Sequence, residues 1–285
     1  MNENINFLET MDKATEHHES SHENFALSYV DSVIDAHFSA MKWSEQDVIL
    51  EIGCGRGRTT KTVLLPKCPK LKKIVAIDIN PSSIEYARKT YFDEKVEFMT
   101  QDILQRLDTE VEKYSYDKVV SFYALHHIPD FEKLFSVVSS VLKPGGHFLF
   151  ISIVKNPAFS ILRDLSTNEE WTKHIKREDI LAVIPPTENW KDAESEFKEF
   201  LSKFGLQVTK SQCDDLSTSV SDKQHFLDSL LTILPKATTK NLDPQVKNCL
   251  WNQAEQTILK YCPRDEKGGI LFTYKVMQIS GMKDI

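Results

Sequence analysis

The stretch Val48–Gly57 reads VILEIGCGRG and decides the fold. Its short apolar run predicts a buried strand, and the alternating Gly53, Gly55 and Gly57 predict a sharp turn into a helix. A ligand can approach the backbone of such a turn without meeting a Cβ atom. The dinucleotide-binding pattern G-x-G-x-x-G would need its third glycine at the position of Arg58, so the stretch departs from that pattern.

Short apolar runs alternate with amphipathic stretches along the chain and predict an α/β fold, in which helices cover both faces of a mostly parallel, Rossmann-like sheet. The predicted strands are Val48–Ile52, Ile74–Ile77, Val96–Met99, Lys118–Phe122, His147–Ile153, Leu206–Cys213 and Gly269–Ile279. Helical segments after Ile153 predict insertions that form a substrate cap. We expect an N-terminal arm and lid helix over 1–46, a cofactor-binding half over 47–154, and the rest of the sheet with its cap insertions over 155–285, all in one folded unit.

Three acidic residues, Glu51, Asp78 and Asp102, lie at the ends of consecutive predicted strands. Ligands of open α/β sheets bind at the carboxyl ends of the strands. Glu51 would repel a pyrophosphate but suits a cofactor with sulfonium and ammonium groups. Asp78 is placed to accept from both ribose hydroxyls, and Asp102 from an adenine amino group, with Ile79 and Ile103 flanking the ring. Each acid alone is more often a surface or capping residue, but together they predict S-adenosylmethionine as the cofactor.

The composition excludes several classes of protein. A net charge of −7 argues against a nucleic-acid partner, because counterion release requires a basic face. The five scattered cysteines, without a CxxC pair, are typical of a reduced intracellular protein. The N-terminus lacks the features of a signal peptide, and the longest apolar run, Phe148–Val154, is too short to span a membrane. We therefore expect a cytoplasmic protein without a membrane span.

The segment from His18 to His22 matches the H-E-x-x-H pattern of zinc proteases. That pattern needs a helix with one buried face, whereas this segment is polar throughout and no further ligand is evident. We predict no metal site.

The residues discussed above resemble the class I methyltransferase family over Asp47–Ile153. The matching segments are Glu51–Gly57, Val75–Ile79, Gln101–Ile103, Ser121–His127 and Leu142–Gly146. The resemblance implies a seven-stranded sheet whose last strand runs antiparallel to the rest. It also implies that Ser121 and Phe122 border the methionine part of the cofactor. The predicted cofactor-binding residues are Glu51, Gly53, Cys54, Gly55, Gly57, Asp78, Ile79, Asp102, Ile103, Ser121 and Phe122.

A narrower resemblance covers most of the chain and extends into the predicted cap. The segments that carry it are Ser121–His127, Lys143–Gly146, Asn156-Pro157, Arg163–Ser166 and Trp171. They are similar to the arthropod juvenile hormone acid methyltransferases, which methylate the carboxylate of farnesoic acid or its epoxide. The chain departs from that family at His127, where Trp is usual, and at Ala26 and Leu27, where an early Gln is often found.

The resemblance implies a small hydrophobic acid as the methyl acceptor. Such an acid is ionised at neutral pH, so its methylation needs no general base. His126, His127 and Tyr123 are predicted donors to its carboxylate, with Trp171 as a further candidate and the two histidines as the catalytic pair. If the acceptor were an amine or phenol, His126 or His127 would act as a base. The sequence leaves open whether the acceptor is a carboxylic acid or an amine or phenol, and whether the chain is an inactive cofactor-binding subunit. It does not give the oligomeric state.

Overall fold

A computed structural model describes residues 21–105, 115–220 and 242–285, together with residues 226, 230, 231, 233, 234 and 239. The predicted N-terminal arm, with most of its H-E-x-x-H segment, lies outside the described residues. Contacts group the described chain into a sheet unit, made of residues 19–152, 190–213 and 277–285, and a second unit, made of residues 153–189 and 214–276. The predicted division at residues 46 and 154 stays a prediction.

In the described part of the chain, seven strands form one sheet. They are β1 Val48–Ile52, β2 Lys73–Asp78, β3 Val96–Thr100, β4 Tyr116–Phe122, β5 Leu142–Lys155, β6 Leu206–Val220 and β7 Ile270–Lys283. Their spatial order is β3-β2-β1-β4-β5-β7-β6, and the pairs from β3 to β5 are parallel. The end of β7 lies beside the start of β5, because Lys283 Nζ donates to the Leu142 carbonyl at 2.9 Å. The predicted mixed, seven-stranded sheet with an antiparallel last strand is confirmed.

Helices connect the strands, as the alternating pattern predicts. Within the described residues the α-helices are α1 Ser21–Phe38, α2 Leu65–Lys67, α3 Pro81–Thr90, α4 Phe131–Val141, α5 Pro157–Leu165, α6 Glu169–Thr172, α7 Arg177–Leu181, α8 Ala193–Ser202 and α9 Pro244–Tyr261. Their caps follow local chemistry: Asp243 accepts from the Gln245 N–H with Pro244 at the first helical position, as its sequence predicts. Among the described helices, none is both long and apolar enough to cross a membrane.

The start of β5 differs from the prediction. The sequence places the strand start at His147, after a Pro-Gly-Gly stop, whereas β5 begins at Leu142 directly after α4. The pairing with β4 jumps from Tyr116–Leu142 to Lys118–His147, so the intervening residues form a bulge that belongs to the strand. The helix ends at Val141, before the Pro-Gly-Gly segment, and this segment does not end the pairing of β5 with β4.

A buried ion pair occupies the amino-end side of the sheet. Lys118 on β4 is 1% exposed and pairs with Asp47, which is 6% exposed. The Lys118 ammonium also lies 4.3 Å from the centroid of the Trp43 ring, and the Asp47 carboxylate accepts from the Ser44 N–H. Nothing in the local sequence marks these two residues as partners, because they lie 71 positions apart.

Loss of one partner of this pair is expected to destabilise the protein strongly. The variant Lys118→Met leaves the Asp47 carboxylate buried without its counter-charge, so we expect the free energy of unfolding in urea to fall by about 3–5 kcal/mol. The matched control is Lys73→Met, which breaks the partly exposed pair with Glu97 and should cost no more than about 1 kcal/mol. Equal, small losses for both variants would contradict a structural role for the buried pair.

Candidate functional site

The glycine loop Gly53–Gly57 joins β1 to a π-helical turn, Thr60–Leu64. All three glycines have positive φ. A Cβ atom on Gly53 would lie 2.2 Å from the Ala124 Cβ, and one on Gly57 would lie 2.8 Å from the Phe98 ring, so packing within the protein requires glycine at both positions. A Cβ on Gly55 would have no atom within 4 Å. Gly55 is therefore the position where the loop backbone borders open space.

The Asp78 carboxylate holds this loop in place. Its Oδ2 accepts from the Gly55 N–H and its Oδ1 from the Asn80 N–H, each at 2.9 Å. The Gly53 and Cys54 N–H groups donate to the Ile77 carbonyl oxygen at 2.8 and 3.0 Å. The structure thus brings the predicted glycine loop and Asp78 together, and backbone N–H groups donate to both oxygens of the carboxylate.

Glu51 lies on the same face of the sheet as Asp78, because Glu51 pairs with Ala76 and Asp78 comes two positions later. Glu51 is only 2% exposed, and its Oε2 atom has no hydrogen-bond partner among the described residues. The pKa of this carboxyl is raised from 4.5 to about 7, mainly because burial disfavours the charged form; the Thr60 hydroxyl lowers the pKa and the nearby Asp78 carboxylate adds to the rise. A buried, unpartnered carboxyl oxygen is costly, so this position suits a ligand that supplies a donor or a positive charge.

Asp102 follows β3 and closes its own turn. Its Oδ1 accepts from the Leu104 N–H at 2.9 Å, which is the capping role that a lone acid commonly has. The neighbouring Gln101 N–H donates to the Asp78 carbonyl oxygen at 2.9 Å, which ties this segment to the end of β2. Ile103 is buried and Ile79 is half-buried. The structure places these residues beside the strand ends, and their contact with an adenine ring stays a prediction.

The end of β4 carries the next group of predicted residues. The Ser121 hydroxyl donates to the Ile52 carbonyl oxygen at 2.8 Å, so it links β4 to β1, and Phe122 is buried. Tyr123 has a φ of 56°, in the left-handed region, and its N–H donates to the Ile151 carbonyl oxygen at 2.8 Å. Such strain in a residue other than glycine clusters at functional sites. The turn thereby redirects the chain immediately before the histidine pair.

His126 and His127 form most of a short 3₁₀ turn, Leu125–His127. Their ring centroids lie 4.1 Å apart, with His126 buried and His127 half-buried. Burial lowers the pKa of His127 to about 4 and that of His126 well below 6.5, with His127 adding to the effect on His126. Both rings are therefore neutral at neutral pH, and a neutral imidazole can donate one hydrogen bond and accept another.

Sequence reasoning missed a polar network between α1 and β7. His37 contacts the Ser280 hydroxyl through Nδ1 at 2.6 Å and Gln278 Oε1 through Nε2 at 3.0 Å. Gln278 Nε2 donates to the Tyr29 hydroxyl at 3.4 Å, and the Tyr29 ring lies 6.3 Å from the ring of Tyr123. Burial lowers the pKa of His37. In the sequence, Tyr29 and His37 are marked only by their helical spacing. This spacing predicts a helix but does not identify side-chain partners on β7.

Trp171 belongs to the second unit. It is fully buried in an apolar cluster with Leu162, Leu250 and Ile258, and its indole N–H donates to the Leu250 carbonyl oxygen at 3.1 Å. The donor that the sequence analysis assigned to an acceptor carboxylate is thus used within this cluster. Its role as a substrate residue stays a prediction.

Comparisons with known proteins agree with this architecture. A family model described as a methyltransferase domain matches residues 44–225. The juvenile hormone acid O-methyltransferase of Bombyx mori is 27% identical over 254 residues, which cover 88% of this chain and 90% of that protein. The corresponding protein of Drosophila melanogaster is 29% identical over 179 residues, which cover 61% of this chain and 59% of that protein.

The fold is also found in solved structures. A protein of Bacillus halodurans, described as a candidate methyltransferase, has a TM-score of 0.58 at 16% identity, with 89% of this chain and 100% of that chain covered. The family match over more than half of the sequence shows that the chain belongs to the methyltransferase-domain family, and the solved structure shows the same Rossmann-like fold.

Replacement of Glu51 by Gln is expected to stabilise the cofactor-free protein at alkaline pH. The folded-state pKa of Glu51 lies above its ordinary value, so the folded protein loses stability as the pH rises from about 4.5 through about 7. The Glu51→Gln variant lacks this loss, and its free energy of unfolding at about pH 8 should exceed that of the wild type by about 2–3 kcal/mol, with little difference at about pH 5. Glu97→Gln serves as the control and should show no such divergence. Parallel stability curves for wild type and Glu51→Gln would contradict the raised pKa.

Proposed function

We propose that this protein transfers the methyl group of S-adenosylmethionine to the carboxylate of a terpenoid acid, of the farnesoic acid or juvenile hormone acid type, and forms the methyl ester. The observation that carries the proposal is the buried Glu51 carboxyl beside the glycine loop. The Asp78 carboxylate accepts from the Gly55 N–H of this loop, and a Cβ atom on Gly55 would meet no other atom within 4 Å. The neutral His126–His127 pair at the end of β4 supplies the acceptor side.

The residues present fit this cofactor. Glu51 has a buried oxygen that lacks a partner and suits a cationic group, and Asp78 stands at the strand end where ribose hydroxyls bind in doubly wound sheets. Asp102, Ile79 and Ile103 would hold the adenine, and Ser121 and Phe122 would border the methionine part. When bound, the cofactor supplies an electrophilic methyl group on a positively charged sulfur.

The histidine pair suits a carboxylate acceptor. A carboxylate is already ionised at neutral pH, so the protein has to orient it rather than deprotonate it, and positioning of this kind can supply about 7–11 kcal/mol. In this proposal a neutral imidazole N–H of His126 or His127 donates to one carboxylate oxygen and leaves the other oxygen to attack. A cationic side chain would stabilise the negative charge more strongly and reduce its nucleophilicity. Exclusion of water from two opposite charges that neutralise each other would assist the transfer.

The same pKa values speak against an amine or phenol acceptor. A general base works best when its pKa lies near the working pH, whereas burial lowers the pKa of His127 to about 4. A base this weak is poorly matched to an ammonium group or a phenol. The Bombyx mori and Drosophila melanogaster relatives are juvenile hormone acid O-methyltransferases, which supports the same choice of a carboxylic acid.

A labelled-methyl assay tests the acceptor class. With saturating cofactor, we expect transfer to farnesoic acid, and a kcat/KM for this acid that stays flat above about pH 7, because no acceptor proton has to leave. Straight-chain fatty acids and small amines serve as comparison acceptors. Preferred transfer to an amine, or a rate for the acid that rises about tenfold per pH unit, would contradict the proposal.

The role of His127 is tested by a pair of substitutions. His127→Ala removes the donor and should lower kcat/KM for the acid about 10- to 100-fold, the loss expected for one hydrogen bond to a charged group. His127→Gln keeps an N–H donor and should recover part of that loss. His147→Ala is the control, because His147 lies at the amino-end side of the sheet, beside the Lys42 backbone. If His127→Ala and His147→Ala behaved alike, His127 would not bind the acceptor.

A further inference from the structure

Resting on the function proposed above, we infer that His37 is a positioning residue for the methyl acceptor. It orients the Gln278 side chain, Gln278 holds the Tyr29 hydroxyl, and the Tyr29 ring packs against Tyr123 on the acceptor side. We call Tyr29, His37, Gln278 and Ser280 the α1–β7 network. The inference extends the proposed function from residues that contact the acceptor to a residue that acts on them through others.

Hydrogen bonds give the side chains of the α1–β7 network one orientation. His37 Nε2 lies 3.0 Å from Gln278 Oε1, and His37 Nδ1 lies 2.6 Å from the Ser280 hydroxyl. Because an amide oxygen only accepts, Nε2 carries the ring proton, and Nδ1 of the neutral ring accepts from Ser280. The amide nitrogen of Gln278 is thereby directed to the Tyr29 hydroxyl, to which it donates at 3.4 Å.

This arrangement requires a neutral His37, and its surroundings keep the ring neutral. Burial lowers the pKa of His37 from 6.5, the Lys210 ammonium on β6 lowers it further, and the contact with Gln278 offsets part of the change. Lys210 is fixed near the end of α1, because its Nζ donates to the Ala36 carbonyl oxygen at 3.1 Å. At neutral pH the ring therefore has one donor and one acceptor nitrogen, and the network uses both.

The packing of α1 on the sheet unit does not depend on polar groups. Its residues Val30, Val33 and Ile34 are all buried and already provide an apolar face. An apolar side chain in place of His37 would extend that face. Buried polar groups cost free energy unless they are hydrogen-bonded, and a satisfied network then specifies one arrangement of its members. The α1–β7 network thus supplies orientation in addition to packing.

Tyr29 carries this orientation to the acceptor side of the site. Its ring lies 6.3 Å from the ring of Tyr123 and is tilted by 52° against it, within the usual range of aromatic pairs. Tyr123 is a predicted donor to the acceptor carboxylate, and its φ of 56° lies in the left-handed region. A strained residue persists only where its surroundings hold it. The Tyr29 ring is one of the groups that hold Tyr123.

Steady-state kinetics of the full chain with farnesoic acid and S-adenosylmethionine test the inference. The variant His37→Phe keeps a ring and removes both of its hydrogen-bonding nitrogens. We expect kcat/KM for the acid to fall about five- to tenfold, the effect of one lost hydrogen bond, mainly through a higher KM because a loosened Tyr123 binds the acceptor less well. The Kd of S-adenosylhomocysteine should stay at the wild-type value. The conservative variant His37→Gln keeps an N–H donor and should recover most of the loss.

Ser139→Ala is the matched control. The Ser139 hydroxyl donates to the Phe204 carbonyl oxygen at 2.8 Å, so the variant removes a side-chain hydrogen bond between elements of the same unit. Ser139 lies near the start of β5, because Lys283 Nζ donates both to its carbonyl oxygen and to that of Leu142. It is therefore at the amino-end side of the sheet, and its loss should leave the KM for the acid unchanged.

A double variant shows whether His37 acts through Tyr29. Tyr29→Phe keeps the ring beside Tyr123 and removes only the hydroxyl that Gln278 holds, so its loss should match that of His37→Phe. Because both substitutions break the same chain of contacts, the double variant should lose no more than either single one. Independent effects would multiply to about 25- to 100-fold.

The outcomes separate this inference from the proposed function. Wild-type kinetics in His37→Phe and Tyr29→Phe, a multiplied loss in the double variant, or an equal weakening of S-adenosylhomocysteine binding would each overturn the inference and leave the proposed function standing. If His37→Phe does not fold, the loss expected in Tyr29→Phe decides alone. A wild type that transfers no methyl group to farnesoic acid would overturn the proposed function, and the inference with it.

Discussion

The hydrogen bond from the Gly55 N–H to the Asp78 carboxylate is the constraint on which the site depends. It ties the loop after β1 to the end of β2, while the second carboxylate oxygen orients the chain at Asn80. With the loop fixed in this way, Gly55 faces open space, and Glu51 is buried beside a second acid. Two buried acids on one sheet face are unfavourable for folding alone. The arrangement suits a site for a cation, because a bound cation would offset the free-energy cost of burying the two carboxyl groups.

The side of the site proposed for the methyl acceptor carries neutral donors instead of acidic groups. At the end of β4 a strained turn at Tyr123 leads directly into the buried His126 and the half-buried His127, and loss of solvent keeps both rings neutral. Negative groups thus stand at β1 and β2, and neutral donors stand at β4. In the proposed reaction this division matches a cationic cofactor on one side and an anionic acceptor on the other. The charges of the two reactants then cancel during transfer without any proton passing through the protein.

The sequence predicted those parts of the molecule that depend on local patterns. The bounds of β1 agree with the predicted Val48–Ile52, and the cap at Asp243 and Pro244 forms as its residues indicate. Strand-end acids could be placed at one edge, because parallel strands end together. Side-chain partners far away in sequence left no local signal. The Lys118–Asp47 pair, the His37 contacts with β7 and the bond from Ser121 to Ile52 all belong to this kind. The bulge in β5 escaped prediction because a Pro-Gly-Gly segment resembles a turn.

If Glu51 and Asp78 both bind one cofactor beside the glycine loop, a crystal structure of the protein with S-adenosylhomocysteine will show their contacts with it. We expect electron density with the ribose hydroxyls within hydrogen-bond distance of the Asp78 carboxylate and the ammonium nitrogen within about 3 Å of Glu51 Oε2. Density for the ligand at any other place, or beside the glycine loop with Glu51 Oε2 still lacking a partner, would contradict this arrangement.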